Sequence, residues 1–115
     1  MPKKRLHYGT TLRLYREEKV FGPGVAELLE TIAATHSLRS AAMRMDMAYS
    51  KAWKVIKAAE QGLGFALLHN AVGGKQGGGA TLTVAAEDLL ARFRAFEAEV
   101  NQAVDAAYDR HFSDM

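Results

Sequence analysis

Apolar positions recur at two spacings along the chain, and the changes of spacing mark its elements. From Thr10 to Arg16, Leu12 and Leu14 alternate with Arg13, Tyr15 and Arg16, the period-2 pattern of one half-buried strand. Phe21-Gly22-Pro23-Gly24 is turn chemistry, and beyond it Val25, Leu28, Leu29 and Ile32 recur at helical spacing to about Thr35. Ser37 can satisfy an orphan backbone N–H two or three residues on, so a short helix is expected over Leu38 to Met45, packing through Leu38, Ala41, Ala42 and Met45. Asp46-Met47-Ala48 separates it from a longer helix, Tyr49 to about Gly62. There Ala52, Trp53, Ile56 and Ala59 form the apolar stripe, while Ser50, Lys51, Lys54 and Lys57 occupy the other face. Gly62 is expected to supply the left-handed stop.

The run Ala66 to Ala71 is short enough for a strand, and Ala80-Thr81-Leu82-Thr83 alternates again as its hairpin partner. Between them Val72 to Gly79 holds five of the chain's ten glycines, the composition of a wing tip. Thr83 can cap a helix that meets neither glycine nor proline until about Phe112. Such a helix is roughly 45 Å long at 1.5 Å per residue, longer than the domain before it requires. Within it Leu89, Phe93, Phe96, Val100, Ala103 and Ala107 keep the a/d rhythm of a seam that seeks another helix. That seam reads as a homodimer handle, against the alternative of a helix folded back on its own domain. The fold class expected is mainly α with a small β-hairpin wing, a winged helix-turn-helix followed by a long C-terminal helix.

Composition adds bounds. With 115 residues, 49% of them hydrophobic and 24% charged, the chain suits one soluble globular domain. It has no cysteine, so disulfides and thiolate metal sites are excluded and packing alone must hold the fold. Met1-Pro2-Lys3-Lys4-Arg5 is basic without the apolar run of a secretory signal, and no stretch of about 18 apolar residues follows, so a cytoplasmic protein without membrane segments is expected. The net charge is only +2, but it is unevenly spread. Between Ser37 and Thr83, Arg39, Arg44, Lys51, Lys54, Lys57 and Lys75 outnumber Asp46 and Glu60 for a net +4. From Val84 on, Arg92, Arg94 and Arg110 face seven acids for a net −4.

Two helices joined by a tight turn, the second basic on its outer face, fit the plan for reading a major groove about 12 Å wide. The DNA-facing residues must offer cations to phosphates and hydrogen-bonding groups to base edges. Arg39, Tyr49, Ser50, Lys51, Lys54 and Lys57 supply both. An ordinary solvated helix face has similar lysine spacing, so the pattern acquires specificity only from its surroundings. A P-loop does not align, because Lys75 is followed by Gln76 rather than Ser or Thr. Gly74-Lys75-Gln76-Gly77 matches the GXXG of RNA-binding KH domains, but the segment after it reads as strand where that fold needs a helix. His7, His36, His69 and His111 stand apart from any acid or nucleophile at a catalytic spacing, so no enzyme and no cofactor are expected. Met43, Met45 and Met47 are expected to fill the core rather than bind a soft metal.

Ser37-Leu38-Arg39-Ser40-Ala41-Ala42, then Tyr49-Ser50-Lys51-Ala52-Trp53, then the wing from Gly73 to Thr83 resemble the N-terminal domain of ModE-type molybdate-responsive regulators. The likeness covers roughly Thr10 to Val100, and the layout is similar, more widely, to LysR-type DNA-binding domains. It implies a transcriptional regulator that binds double-stranded DNA, with the recognition helix in the major groove and the hairpin tip on the backbone or minor groove. In that wing Gly73, Gly74, Gly77, Gly78 and Gly79 would let the backbone approach phosphates, Lys75 would add charge and Gln76 a hydrogen bond. Trp53 is expected to pack inward. Ala48 stands where that family usually has the serine that caps the recognition helix, and Ala86 where it usually has a glycine. Residues 1–83 are thus read as the DNA-binding domain and 84–115 as a dimerisation helix through Leu89, Phe93, Phe96 and Val100. No molybdate-binding domain is expected in this chain. The rival is a winged helix turned to protein interaction, without DNA binding.

Overall fold

A computed structural model describes residues 4–70 and 79–115. Its elements run β1 (Leu14–Tyr15), β2 (Lys19–Phe21), α1 (Pro23–Thr35), α2 (Leu38–Arg44), α3 (Tyr49–Leu63), β3 (Leu68–Asn70), β4 (Ala80–Leu82) and α4 (Val84–Phe112). This is the mainly helical winged architecture expected, with α1, α2 and α3 around one core and the β3–β4 hairpin beside it.

Each helix begins and ends for a local reason. Pro23 opens α1, where its missing N–H costs nothing. The Ser37 hydroxyl accepts from the Ser40 N–H at 3.0 Å to cap α2. At the other end of α2 the Met47 N–H donates to the Ala42 carbonyl at 2.8 Å and the Asp46 N–H to Met43 at 3.1 Å, a Schellman closure. Asp46 takes the left-handed position of that closure at φ 55°, where glycine is the usual occupant. The turn into α3 is therefore tight, with the Met45, Asp46 and Met47 N–H groups all bonded back to α2. Ala48 caps α3 without any side-chain bond. Thr83 caps α4 by accepting from Ala86 N–H at 3.0 Å, and its own hydroxyl donates to the Ala66 carbonyl at 2.8 Å.

Several expectations need correction. The early strand is only Leu14–Tyr15, and it pairs antiparallel with Lys19–Phe21, which the glycine-proline turn signal at Phe21 had hidden. Gly62 does not stop α3: Gly64 does, at φ 89°, with its N–H on the Glu60 carbonyl at 2.8 Å. Gly62 serves packing instead, since a Cβ there would lie 2.5 Å from the Val20 side chain on β2. Met43 is 76% exposed, and only Met45 and Met47 touch the core.

The core gathers Val20 and Phe21 from β2, Leu28, Leu29 and Ile32 from α1, Leu38, Ala41 and Ala42 from α2, and Ala52, Ile56, Ala59 and Leu63 from α3. Leu67, Leu68 and Ala80 add the hairpin, and Ala86 and Phe93 attach α4. Phe93 is 2% exposed and meets Phe21 edge to face, ring centroids 5.0 Å apart. The seam reading gave Phe93 to a partner chain, but this chain's own core has taken it. Beyond Phe93 the helix leaves the core, which stretches the molecule to 60 × 35 × 23 Å. The N-terminal segment returns along that outer stretch. Tyr8 donates its hydroxyl to Asp105 and packs on Tyr108, and Tyr108 donates to the Leu6 carbonyl at 2.8 Å.

Candidate nucleic-acid interface

Helix α3 buries Ala52, Ile56, Ala59 and Leu63, which fixes the opposite face toward solvent. Ser50, Lys51, Lys54 and Lys57 all lie on exposed positions of that face. The structure therefore brings together the four polar residues that spacing had grouped. Arg39, exposed on α2, joins them across the tight turn by placing its guanidinium carbon 4.2 Å from the centre of the Tyr49 ring. Among the described residues Arg39, Lys51 and Lys54 form no ion pair, while Lys57 lies 3.4 Å from Glu60 with its side chain 60% exposed. The face is uncompensated positive charge over most of its length, the arrangement that attracts phosphates.

Tyr49 and Trp53 occupy the flank between this face and the core, both half-buried. Trp53 packs half-buried against the core, as its spacing suggests, and in addition its indole N–H donates to the Tyr49 hydroxyl at 2.7 Å and the Lys57 ammonium sits 5.0 Å from its ring centre. No sequence signal marked this, because a tryptophan next to Ala52 and three residues before Ile56 is spaced as core.

The wing root is anchored on both sides. Strands β3 and β4 pair Leu68 with Leu82, His69 with Thr81 and Asn70 with Ala80. The Ala80 N–H donates to the His36 carbonyl at 2.9 Å, and the Thr83 N–H to Leu67 at 2.9 Å. The Leu67 N–H in turn donates to the Glu60 carboxylate at 2.8 Å, which ties the hairpin to the end of α3. Of the wing residues named from sequence, Gly79 alone lies within the described residues, and it is exposed. Gly73, Gly74, Lys75, Gln76, Gly77 and Gly78 lie outside the described residues.

Remote from this face, Arg94 of α4 donates to both Glu30 oxygens, at 2.6 and 2.9 Å, and to Glu97 at 2.6 Å. Those bonds hold the Glu30 carboxyl below its ordinary pKa and the guanidinium above its own. Arg94 is thereby committed to α1. On the seam Leu89, expected at a dimer contact, packs half-buried against this chain's own core, whereas Val100 is half-buried and Phe96 is 45% exposed.

Known proteins place this arrangement. The chain is 41% identical over 73 residues to the molybdenum-pterin-binding protein MopB of Rhodobacter capsulatus, covering 64% of this chain and 27% of that protein. It is 42% identical over 67 residues to the molybdenum transport protein ModE of Herbaspirillum seropedicae, covering 58% and 25%. With the ModE of Azotobacter vinelandii it shares 34% over 83 residues, covering 72% and 31%. The chain thus spans between a quarter and a third of the length of these relatives. The profile of bacterial regulatory helix-turn-helix proteins of the lysR family matches residues 25–87, from the first turn of α1 through α2, α3 and the β3 and β4 strands to the start of α4. The chain belongs to the lysR family of bacterial regulatory helix-turn-helix proteins.

Proposed function

We propose that this chain is a transcriptional regulator that binds duplex DNA sequence-specifically, with α3 in the major groove and the glycine-rich wing on the backbone or minor groove. The observation that carries this reading is the solvent face of α3. Its three lysines and Ser50 stand clear of carboxylates except at Lys57, and Arg39 extends the charge onto α2. A short α2 joined to α3 by a tight hydrogen-bonded closure gives that face the rigidity groove reading needs. Lys75 and Gln76 belong to the same reading as wing contacts. Residues 1–83 form the DNA-binding part, and 84–115 pair with a second copy through the open part of the α4 seam.

Replacing Lys51 and Lys54 by Ala is expected to abolish duplex binding while leaving the fold unchanged. Wild-type affinity should fall steeply between about 50 and 200 mM salt, as counterion release requires. A flat salt response with unchanged binding in the double variant would support the protein-interaction reading instead.

A further inference from the structure

We infer that Trp53 is a positioning residue for DNA recognition, holding Arg39 and Lys57 ready for phosphates through a ladder that runs Arg39, Tyr49, Trp53, Lys57. The inference rests on the DNA-binding reading above. Tyr49 and Trp53 lie one helical turn apart, edge to face with centroids 6.5 Å apart at 82°, and the indole N–H bond to the Tyr49 hydroxyl fixes both rings. A cation rests against each end: Arg39 4.2 Å from the Tyr49 ring centre, Lys57 5.0 Å from that of Trp53. Beyond Lys57 the chain of contacts continues through Glu60 to the backbone N–H of Leu67 at the wing root.

Packing on the core accounts for the indole N–H partner, but it does not call for a cation against each ring of the pair. Arg and Lys side chains carry large rotamer entropy, and a phosphate contact must order them. Ring faces that hold them beforehand, while leaving the charge in water, reduce that cost at the moment of binding. The rings sit on the flank of α3 and the cations at the margin of its solvent face, so the ladder frames the base-reading residues without occupying their place.

The test compares wild type, Trp53→Leu and Trp53→Phe on a duplex selected by the wild-type protein from random sequence, across about 50 to 200 mM salt. Trp53→Leu should weaken binding about tenfold and reduce the log–log salt slope by about one to two, as loosened phosphate contacts require. Trp53→Phe, which keeps a ring beneath Lys57, should recover most of the slope. Because Trp53 is the only tryptophan, its emission should also change on duplex addition, and less so in Lys57→Ala. A folded Trp53→Leu with the wild-type slope, even at lower affinity, would reduce Trp53 to packing and overturn the inference. Where Trp53→Leu does not fold, Tyr49→Phe is read the same way: it keeps both rings and deletes the indole's acceptor, so a lowered slope supports the ladder and a wild-type slope overturns it. Failure of the DNA-binding reading looks different, since the wild type itself would then select no duplex.

Discussion

Gly62 and Asp46 occupy positions whose demands run opposite to their residue types. Gly62 lies inside α3 with helical backbone, where alanine would ordinarily gain about 1 kcal/mol. A Cβ there meets the Val20 Cγ1 at 2.5 Å, however, and Val20 is a stiff, buried side chain. Overpacking of that kind costs about 1–3 kcal/mol, so Gly62→Ala is expected to lower the urea midpoint, and a raised midpoint would mean that Val20 yields freely. Asp46 is the reverse case, a residue with a Cβ at φ 55°. Asp46→Gly should match or exceed wild-type stability, whereas Asp46→Val should lose about 1–2 kcal/mol in the same titration. Both outcomes bear on function, because Asp46 sets the turn that presents α3 and Gly62 sets how closely α3 lies on β2.

At the scale of elements, the question is how a 29-residue helix is held by a small domain. Its attachment includes Ala86 and Phe93 in the core, Leu89 and Leu90 packed against it, and the Arg94–Glu30 pair at the rim. Phe93→Ala should cost about 3–5 kcal/mol in unfolding free energy, as for other buried aromatics. The ion pair is part-exposed, which limits it to about 0.5–1 kcal/mol despite its two-point geometry. Glu30 has its pKa lowered by the fold, so its contribution is full above the ordinary glutamate value of 4.5 and is lost as pH falls through the lower folded value. Wild type and Glu30→Gln should therefore differ in thermal stability at neutral pH and converge in strong acid. A constant gap across pH would place the variant's effect elsewhere.

At the scale of the molecule, the outer half of α4 projects from the core with the N-terminal segment along one side. Phe96, half exposed and next to the attachment, is where a second copy would make its first seam contact. Phe96→Asp should yield monomers by sedimentation with stability changed by at most about 0.5 kcal/mol, the usual range for surface sites. A dimer would present two α3 helices to half-sites about one helical turn, 34–36 Å, apart, and the monomeric variant should lose preference for paired sites. An unchanged mass would remove α4 as the dimerisation element.

Features that depend on neighbours along the chain could be read from the residues alone. Helix spacing, the Ser37 and Thr83 caps and the cationic face of α3 were all legible, because they follow from contacts within one or two turns. The β3–β4 pairing was legible too, because both strands alternate and flank one loop. Which partner a shared residue took became visible only in the folded chain. Phe93 fits a seam by spacing but went to Phe21, seventy-odd residues earlier; Trp53 packs on the core as its stripe suggests but also takes Tyr49 and Lys57 as partners; Gly62 looks like a stop but is a clearance for Val20. The physical reason is common to all three. Periodicity states which face a side chain takes, whereas its partner is set by long-range packing, whose geometry no local pattern contains.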